Sequence, residues 1–344
     1  MKAKILYIDP IYQPGHINFN QIYINYLYKE GYSIDFFFIN DYAKKLSLKA
    51  ESKVFSIKSE FLTRRYNPLF NRFLYLYTLL YIRYKVNIKE YDYLLFSSYE
   101  EISFFFSFFS GVYIINHVNL QKIHSPIKKV FITQVFKKNN PIVLSKESYN
   151  LVRNNFAYKR LILSRHGLLP PFSIDCQDSR FAALVSKYKH VIFSPSDNSS
   201  DFQFLRKLLS SEAFLQYLQR ENILFVVRTK EKIVCSINNI LCISHYLDEK
   251  DYRFLFLKSD VIVIIYPHNF IYRVSGVLFE CFSNMKMCLL SDIDSFREYS
   301  SFFKYNPYFG NTEELIDGLN NCIHYVGMNP FNSLDSLSPS INFK

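Results

Sequence analysis

The chain has 344 residues, of which 49% are hydrophobic and 18% aromatic, so it can fill two hydrophobic cores and disorder is excluded. A net charge of +11 favours an anionic partner; with no zinc-finger spacing, RNP-like motif or repeated basic helix, nucleic acid is set aside in favour of a phosphorylated substrate or a membrane surface. The six cysteines form no C-x-x-C pair and sit mostly in apolar runs, and the start MKAKILYIDP turns polar too early for a signal peptide, which together predict a reduced, cytoplasmic protein.

Lys4–Asp9 (KILYID) reads as a buried strand, followed by the loop PIYQPGH and a helix from about Ile17 to Lys29 that stops at Gly31. Ser33–Ile39 (SIDFFFI) is the next strand, which gives the β–loop–α–β start of domains that bind nucleotides or acceptors. Gly15 and His16 lie in the loop where a ligand would sit, and the missing G-x-G-x-x-G counts against a nicotinamide or flavin dehydrogenase. Leu62–Lys89 interleaves Arg and Lys with Phe, Tyr and Leu. Such a helix either packs on the core with a solvated basic face or lies on an anionic membrane surface, apolar side down. Tyr91–Ser97 and Val112–Asn116 are further strands, the second ending at His117. Ser103–Ile115 (SFFFSFFSGVYII) is the longest apolar block and falls short of the roughly 20 residues of a membrane span. Pro141–Ser145, the helical KESYNLVRNN and Arg160–Ser164 complete a first domain expected over residues 1–168.

Residues 169–189, with Pro170-Pro171 and a short helical piece at Ala182–Tyr188, are expected to be a linker, and a second domain is expected over 190–328. It begins with the strand His190–Ser194; Ile223–Val227 follows, with Arg228 and Lys230 just beyond it, and then Leu241–Ser244. Residues 329–344 read as a polar tail or as a segment returning to the first domain.

The most informative stretch is SDVIVIIYPHNFIYRVSGVLFECFSNMKMCLLSDI, from Ser259 to Ile293. Asp260–Ile265 is a β-branched run without polar alternation, as in a parallel strand covered on both faces. Tyr266–Val274 breaks the pattern, Ser275-Gly276 opens a helix with Val277, Leu278, Cys281 and Phe282, and Lys286–Ser291 is another buried strand. In a doubly wound sheet, ligands bind beyond the carboxyl ends of the strands, so the loop and the amides at Ser275 and Gly276 form a seat for a diphosphate. Arg273, Gly276 and Glu280, spaced i, i+3 and i+7, are expected to share one stripe looking back at that crevice.

These residues resemble the donor-site segment of retaining GT-B glycosyltransferases of family 4, in the subset whose loop reads Tyr-Arg-x-Ser-Gly-Val; here it is Tyr272-Arg273-Val274-Ser275-Gly276-Val277. The resemblance implies an α/β fold of the GT-B type, two Rossmann-like doubly wound domains facing across a cleft. It implies transfer of a hexosyl-type sugar from a UDP- or GDP-linked donor, with retention and without a metal or other cofactor. The final Glu of the family spacing falls on Glu280 and would bind the ribose, while the first falls on Tyr272, and Asn284 and Met285 replace a small residue and Gly. By the same resemblance His117 is the catalytic-side residue near the sugar, and Gly15 and His16 touch phosphate or acceptor. The loop PSDNSSDF lacks the Arg and Lys that the family commonly carries there, so Arg228, Lys230 and Arg273 are the candidate phosphate ligands, beside Tyr266. Asp292-Ile293-Asp294 has a metal-binding Asp-x-Asp form but reads as a capping turn. The leading function is assembly of a bacterial surface polysaccharide such as lipopolysaccharide or capsule, on a glycan or lipid-linked acceptor, at the inner face of the membrane. The alternative is a non-catalytic GT-B-like protein that binds sugar nucleotides.

Overall fold

The structure is a computed structural model that describes residues 3–11, 16–62, 64, 66–173, 179–195, 201–229, 237–245, 247–324 and 329–343. Contacts divide the chain into two compact units. One comprises residues up to Gly167, Tyr272–Val274 and the stretch from Leu337 onward; the other comprises Leu168–Ile271 and Ser275–Ser336.

In the first unit, β1 (Lys4–Ile8), β2 (Ser33–Ile39), β3 (Val54–Ile57), β4 (Tyr93–Phe96), β5 (Tyr113–Asn116), β6 (Asn140–Val143) and β7 (Ile162–Leu163) form one parallel sheet in the order β3-β2-β1-β4-β5-β6-β7. The second unit repeats the plan with β8 (His190–Ser194), β9 (Ile223–Arg228), β10 (Ile240–Ile243), β11 (Val261–Ile264), β12 (Cys288–Ser291) and β13 (Tyr308–Phe309), in the order β10-β9-β8-β11-β12-β13. The cores follow from sequence. Phe36, Phe37 and Phe38 of β2 are all buried, as are Val261 to Ile264 of β11, because helices cover both faces and an unbroken apolar run has no solvent side. Strand order reverses beside β1 in one sheet and beside β8 in the other, and at each reversal the loops diverge to leave a crevice at the carboxyl ends.

The span expected to be a linker belongs to the second unit: the Leu169 amide donates to Ser283 Oγ at 2.9 Å and the Phe172 amide to Asn284 Oδ1 at 2.7 Å. The end of the chain belongs to the first. The Ile341 amide donates to Tyr26 Oη at 2.9 Å, and the buried Phe343 ring stacks on Tyr93 at 5.0 Å and meets Tyr113 edge-on at 4.8 Å. Gly167 allows this docking, since with φ at +89° a Cβ there would come within 2.4 Å of Ile22 and 3.0 Å of Pro339. Phe343→Ala is expected to cost about 3 kcal/mol, the usual cost of emptying a buried Phe site, read as a lower urea midpoint. An unchanged midpoint would mean that the ring is not part of the core.

Candidate functional site

Beyond β11 the chain folds over an aromatic plug. Tyr266 is buried, its ring lies 4.2 Å from Phe270 and 5.4 Å from Phe296, and its amide donates to Ser291 Oγ at 2.9 Å. The Phe270 amide closes a turn on the Pro267 carbonyl at 2.9 Å, and Ser295 Oγ donates to the Phe270 carbonyl at 2.6 Å. The loop is therefore fixed by buried side chains before it reaches the helix Gly276–Ser283.

Ser275 caps that helix. Its hydroxyl donates to Tyr266 Oη at 3.2 Å and accepts from the Leu278 amide at 3.3 Å, so one of the helix's leading amides is satisfied internally. For the amides of exposed Gly276 and half-buried Val277, no acceptor is found among the described residues. A Cβ built on Gly276 would meet no atom within 4 Å. Two donors thus lie at the positive end of a helix dipole, with open space beside Gly276, at the point where the strand order reverses.

The expected stripe through Arg273, Gly276 and Glu280 is not formed. Tyr272 takes a left-handed φ of 56° and Ser275 an extended conformation, so Arg273 precedes the helix instead of continuing it. Tyr272, Arg273 and Val274 are counted with the first unit, where the Tyr272 amide donates to Glu147 Oε2 at 3.3 Å.

Glu280 lies in the second turn of its helix, and its Oε2 accepts from the hydroxyl of Tyr252, on the helix Glu249–Lys258. Burial raises the carboxyl to about 7, against the opposing pull of the Tyr252 bond and the Arg253 charge. Aromatic rings surround the pair: Phe193 lies 5.9 Å and Phe256 6.0 Å from Tyr252, and Arg253 sits over the Phe172 ring at 5.2 Å. On β9, Arg228 is at the carboxyl end, and its Nη1 donates to the Pro195 carbonyl, just past β8, at 3.4 Å.

A second polar cluster occupies the carboxyl edge of the first sheet. Buried Asp9 follows β1 and accepts from Asn20 Nδ2 at 2.7 Å, from the Ile11 amide at 3.3 Å and from the Ser98 hydroxyl. Asn20 also donates to Tyr42 Oη at 2.9 Å and accepts from Tyr7 Oη at 2.8 Å, which pins the helix Ile17–Lys29 to the strand ends. That helix sets His16 against His117, rings stacked at 4.6 Å, with Phe19 edge-on to His117 at 4.3 Å and to His166 at 5.2 Å. Because the Ser97 carbonyl only accepts, the 2.9 Å contact makes His117 Nε2 the protonated nitrogen and leaves Nδ1 as the acceptor in the neutral ring. Burial holds His117 well below the usual histidine range, helped by His16 and His166; burial likewise lowers His16, with Asp9 opposing, and brings His166 to about 4. At neutral pH all three rings are uncharged acceptors and donors, not acids. Among the described residues no group of three or more His, Cys, Asp and Glu is placed to hold a metal ion.

No family model matches the chain, and no curated protein matches it. Solved structures do. Alr3699/HepE of Anabaena, in complex with UDP and glucose, superposes with a TM-score of 0.60 at 12% identity, over 94% of this chain and 90% of its own. A glycosyltransferase from Rickettsia africae gives 0.62 at 14% identity, over 95% and 89%. An enzyme described as a UDP-N-acetylglucosamine 2-epimerase, from Listeria monocytogenes, gives 0.59 at 11% identity, over 96% and 93%.

The fold is GT-B. Within it, the edge of the second sheet carries Arg228, Tyr266, Ser275, Gly276, Val277 and Glu280, and the edge of the first carries His16 and His117. Tyr272 and Arg273 group with the first unit, while Gly15 and Lys230, and the core of the loop at Pro195 to Phe202, lie outside the described residues. Three residues packed around these candidates were not singled out in the sequence reading. Asp9 was visible as an acid closing a buried strand, His166 as a His-Gly turn, but Tyr252 has no signal, because a tyrosine within an amphipathic helix is indistinguishable from core. Asp292 accepts from Arg297 through both carboxylate oxygens at 2.5 Å each, whereas the short helix Asp294–Arg297 starts at Ile293 without a side-chain cap, so an ion pair and not the expected capping holds that turn.

Proposed function

We propose that the chain is a glycosyltransferase that holds a nucleotide sugar at the carboxyl edge of its second sheet. The observation carrying this reading is the helix start at Gly276, where two amides have no acceptor among the described residues and the glycine leaves open the space a side chain would fill. In the reading the diphosphate takes those amides, Arg228 and Arg273 add positive charge, Glu280 takes ribose hydroxyls, and the departing diphosphate is stabilised by groups already in place. The acceptor is assigned to the first unit, whose sheet edge offers the neutral imidazoles of His16 and His117. The match of Tyr272 to Val277 with the loop of retaining enzymes supports retention, and the likeness to HepE supports a UDP-linked donor. The role proposed is sugar addition to a bacterial surface glycan or its lipid-linked precursor.

Thermal-shift titration with UDP- and GDP-sugars tests the binding step: one class is expected to raise the melting temperature in a concentration-dependent way. Proton NMR of the sugar released or transferred from that donor, with and without chelator, then tests chemistry, retention and independence of metal. Binding without turnover would leave a sugar-nucleotide binding protein, and inversion at C2 of UDP-N-acetylglucosamine would favour the second reading that the Listeria likeness supports. No stabilisation by any nucleotide sugar defeats the proposal.

A further inference from the structure

The three helices on one face of the first sheet leave an unusual amount of aromatic and aliphatic surface in water. The helix Pro68–Lys85 is capped by the Asn67 side chain, which accepts from the Phe70 amide, and Pro68 occupies its first turn. Along it Leu69, Phe73, Tyr77, Leu80 and Tyr84 are 75, 65, 51, 46 and 82% exposed. At 3.6 residues per turn these five fall within about 80° of arc, a continuous apolar stripe. Thr78, Leu79 and Ile82, on the opposite side, are buried.

The stripe continues onto neighbouring elements. Phe106, at the end of the helix Glu101–Phe106, and Phe108, just past it, are exposed, as are Ile127 and Val130 of the helix Pro126–Lys138. Phe131 links them, lying 5.8 Å from Phe106 and 5.3 Å from Phe105. Leu79 and Ile82, Phe104, and Ile132, Val135 and Phe136 belong to one core cluster, so the three helices cover the same face of the sheet and turn their outer sides the same way.

Charge decides what covers this surface. Residues 61–138 hold eleven Lys and Arg against four Asp and Glu. The two acids on these helices are already taken: Glu100 by Arg72 at 3.0 Å and Glu101, fully buried, by Lys128 at 2.8 Å. Arg83, Lys85, Lys129, Lys137 and Lys138 remain exposed, with Lys85 over the Tyr84 ring at 5.2 Å and Lys138 over the Phe105 ring at 5.4 Å. A protein partner would select against lysine among buried aromatics. A leaflet edge requires that mixture, with rings in the acyl boundary and ammonium groups at the phosphates. Among the described residues no helix is long and apolar enough to cross a bilayer, so contact of this surface with a leaflet does not require a spanning helix. We propose that these three helices form a docking face for an anionic lipid bilayer.

Co-sedimentation of the full chain with vesicles tests this. Vesicles containing about one third phosphatidylglycerol are expected to bind at least about tenfold more tightly than phosphatidylcholine alone, and added salt to reverse the difference. The double variant Phe73→Ser/Tyr84→Ser alters only exposed side chains, so its melting temperature is expected to match the parent while vesicle affinity falls about tenfold or more. The pair Lys129→Glu/Lys137→Glu is expected to remove the preference for anionic vesicles. Equal binding to both vesicle types, or none, overturns the proposal. So does a dimer in sedimentation equilibrium that Phe73→Ser/Tyr84→Ser converts to monomer, which would assign the face to a second copy of the chain.

Discussion

Gly276→Asp is expected to leave the melting temperature at or above that of the parent protein while weakening nucleotide-sugar binding by about a hundredfold. The two effects have opposite signs for one reason. A carboxylate in the first turn of a helix interacts favourably with the dipole, by about 0.3 to 1 kcal/mol, and the new Cβ meets no atom within 4 Å, so the folded state gains or is unchanged. The same carboxylate would occupy the space and the amides proposed for the diphosphate. Two like charges within a few ångströms of each other near a protein surface repel by up to about 4 kcal/mol, and a loss of about 3 kcal/mol corresponds to the factor stated. Gly276→Ala separates volume from charge: it is expected to keep the fold and to weaken binding only modestly. Isothermal titration with the donor found by thermal shift reads both variants. If Gly276→Asp binds as the parent does, the diphosphate is held elsewhere, even if the chain proves to be a transferase.

The fold was legible because both sheets are parallel and doubly covered. Runs such as Ser33–Ile39, Ile223–Val227 and Asp260–Ile265 have no polar face to confuse with a loop, and each is a strand within a residue or two of its expected ends. What escaped were edge elements. β3 is half exposed and β13 has only two residues, so neither has the apolar run that marks a central strand. The helix Pro126–Lys138 was missed as well, its outer side mixing Ile127 and Val130 with lysines where a solvent-facing side should be polar, and that same breach of pattern makes the face a lipid-docking candidate. At the second sheet's edge, the Ser-Gly motif disclosed the helix start, since capping is a local property. The partner of Glu280 stayed hidden because Tyr252 is brought to it by packing across 28 residues of sequence. The three-histidine cluster at the first sheet's edge is likewise assembled from the start of one helix and the ends of two distant segments.

Nucleotide-sugar affinity is expected to rise as pH is taken from about 6 to about 8 and then to level off, with an inflection near the Glu280 value. Burial lifts that carboxyl to about 7, so the ligand-free protein carries it roughly half protonated at neutrality. In the proposed site, ribose hydroxyls donating to the carboxylate would favour the ionised form, so below the inflection part of the binding free energy goes into removing the proton, at most tenfold in affinity per pH unit. The stability of the ligand-free protein runs the other way. A carboxyl raised on folding contributes stability that is present below its unfolded value of about 4.5 and is lost as pH climbs through about 7. Glu280→Gln should therefore remove the pH dependence of binding and, relative to the parent, flatten the loss of stability over that window; taking the difference cancels the buried histidines, whose contribution has the opposite slope. Tyr252→Phe gives the sharper test, because the lost hydroxyl bond was lowering the Glu280 value, so the inflection should move to higher pH with binding retained above it. An inflection that stays put in Tyr252→Phe and persists in Glu280→Gln would assign the titration to another group and remove Glu280 from the ribose site, since two hydroxyls meeting its carboxylate must sense that proton.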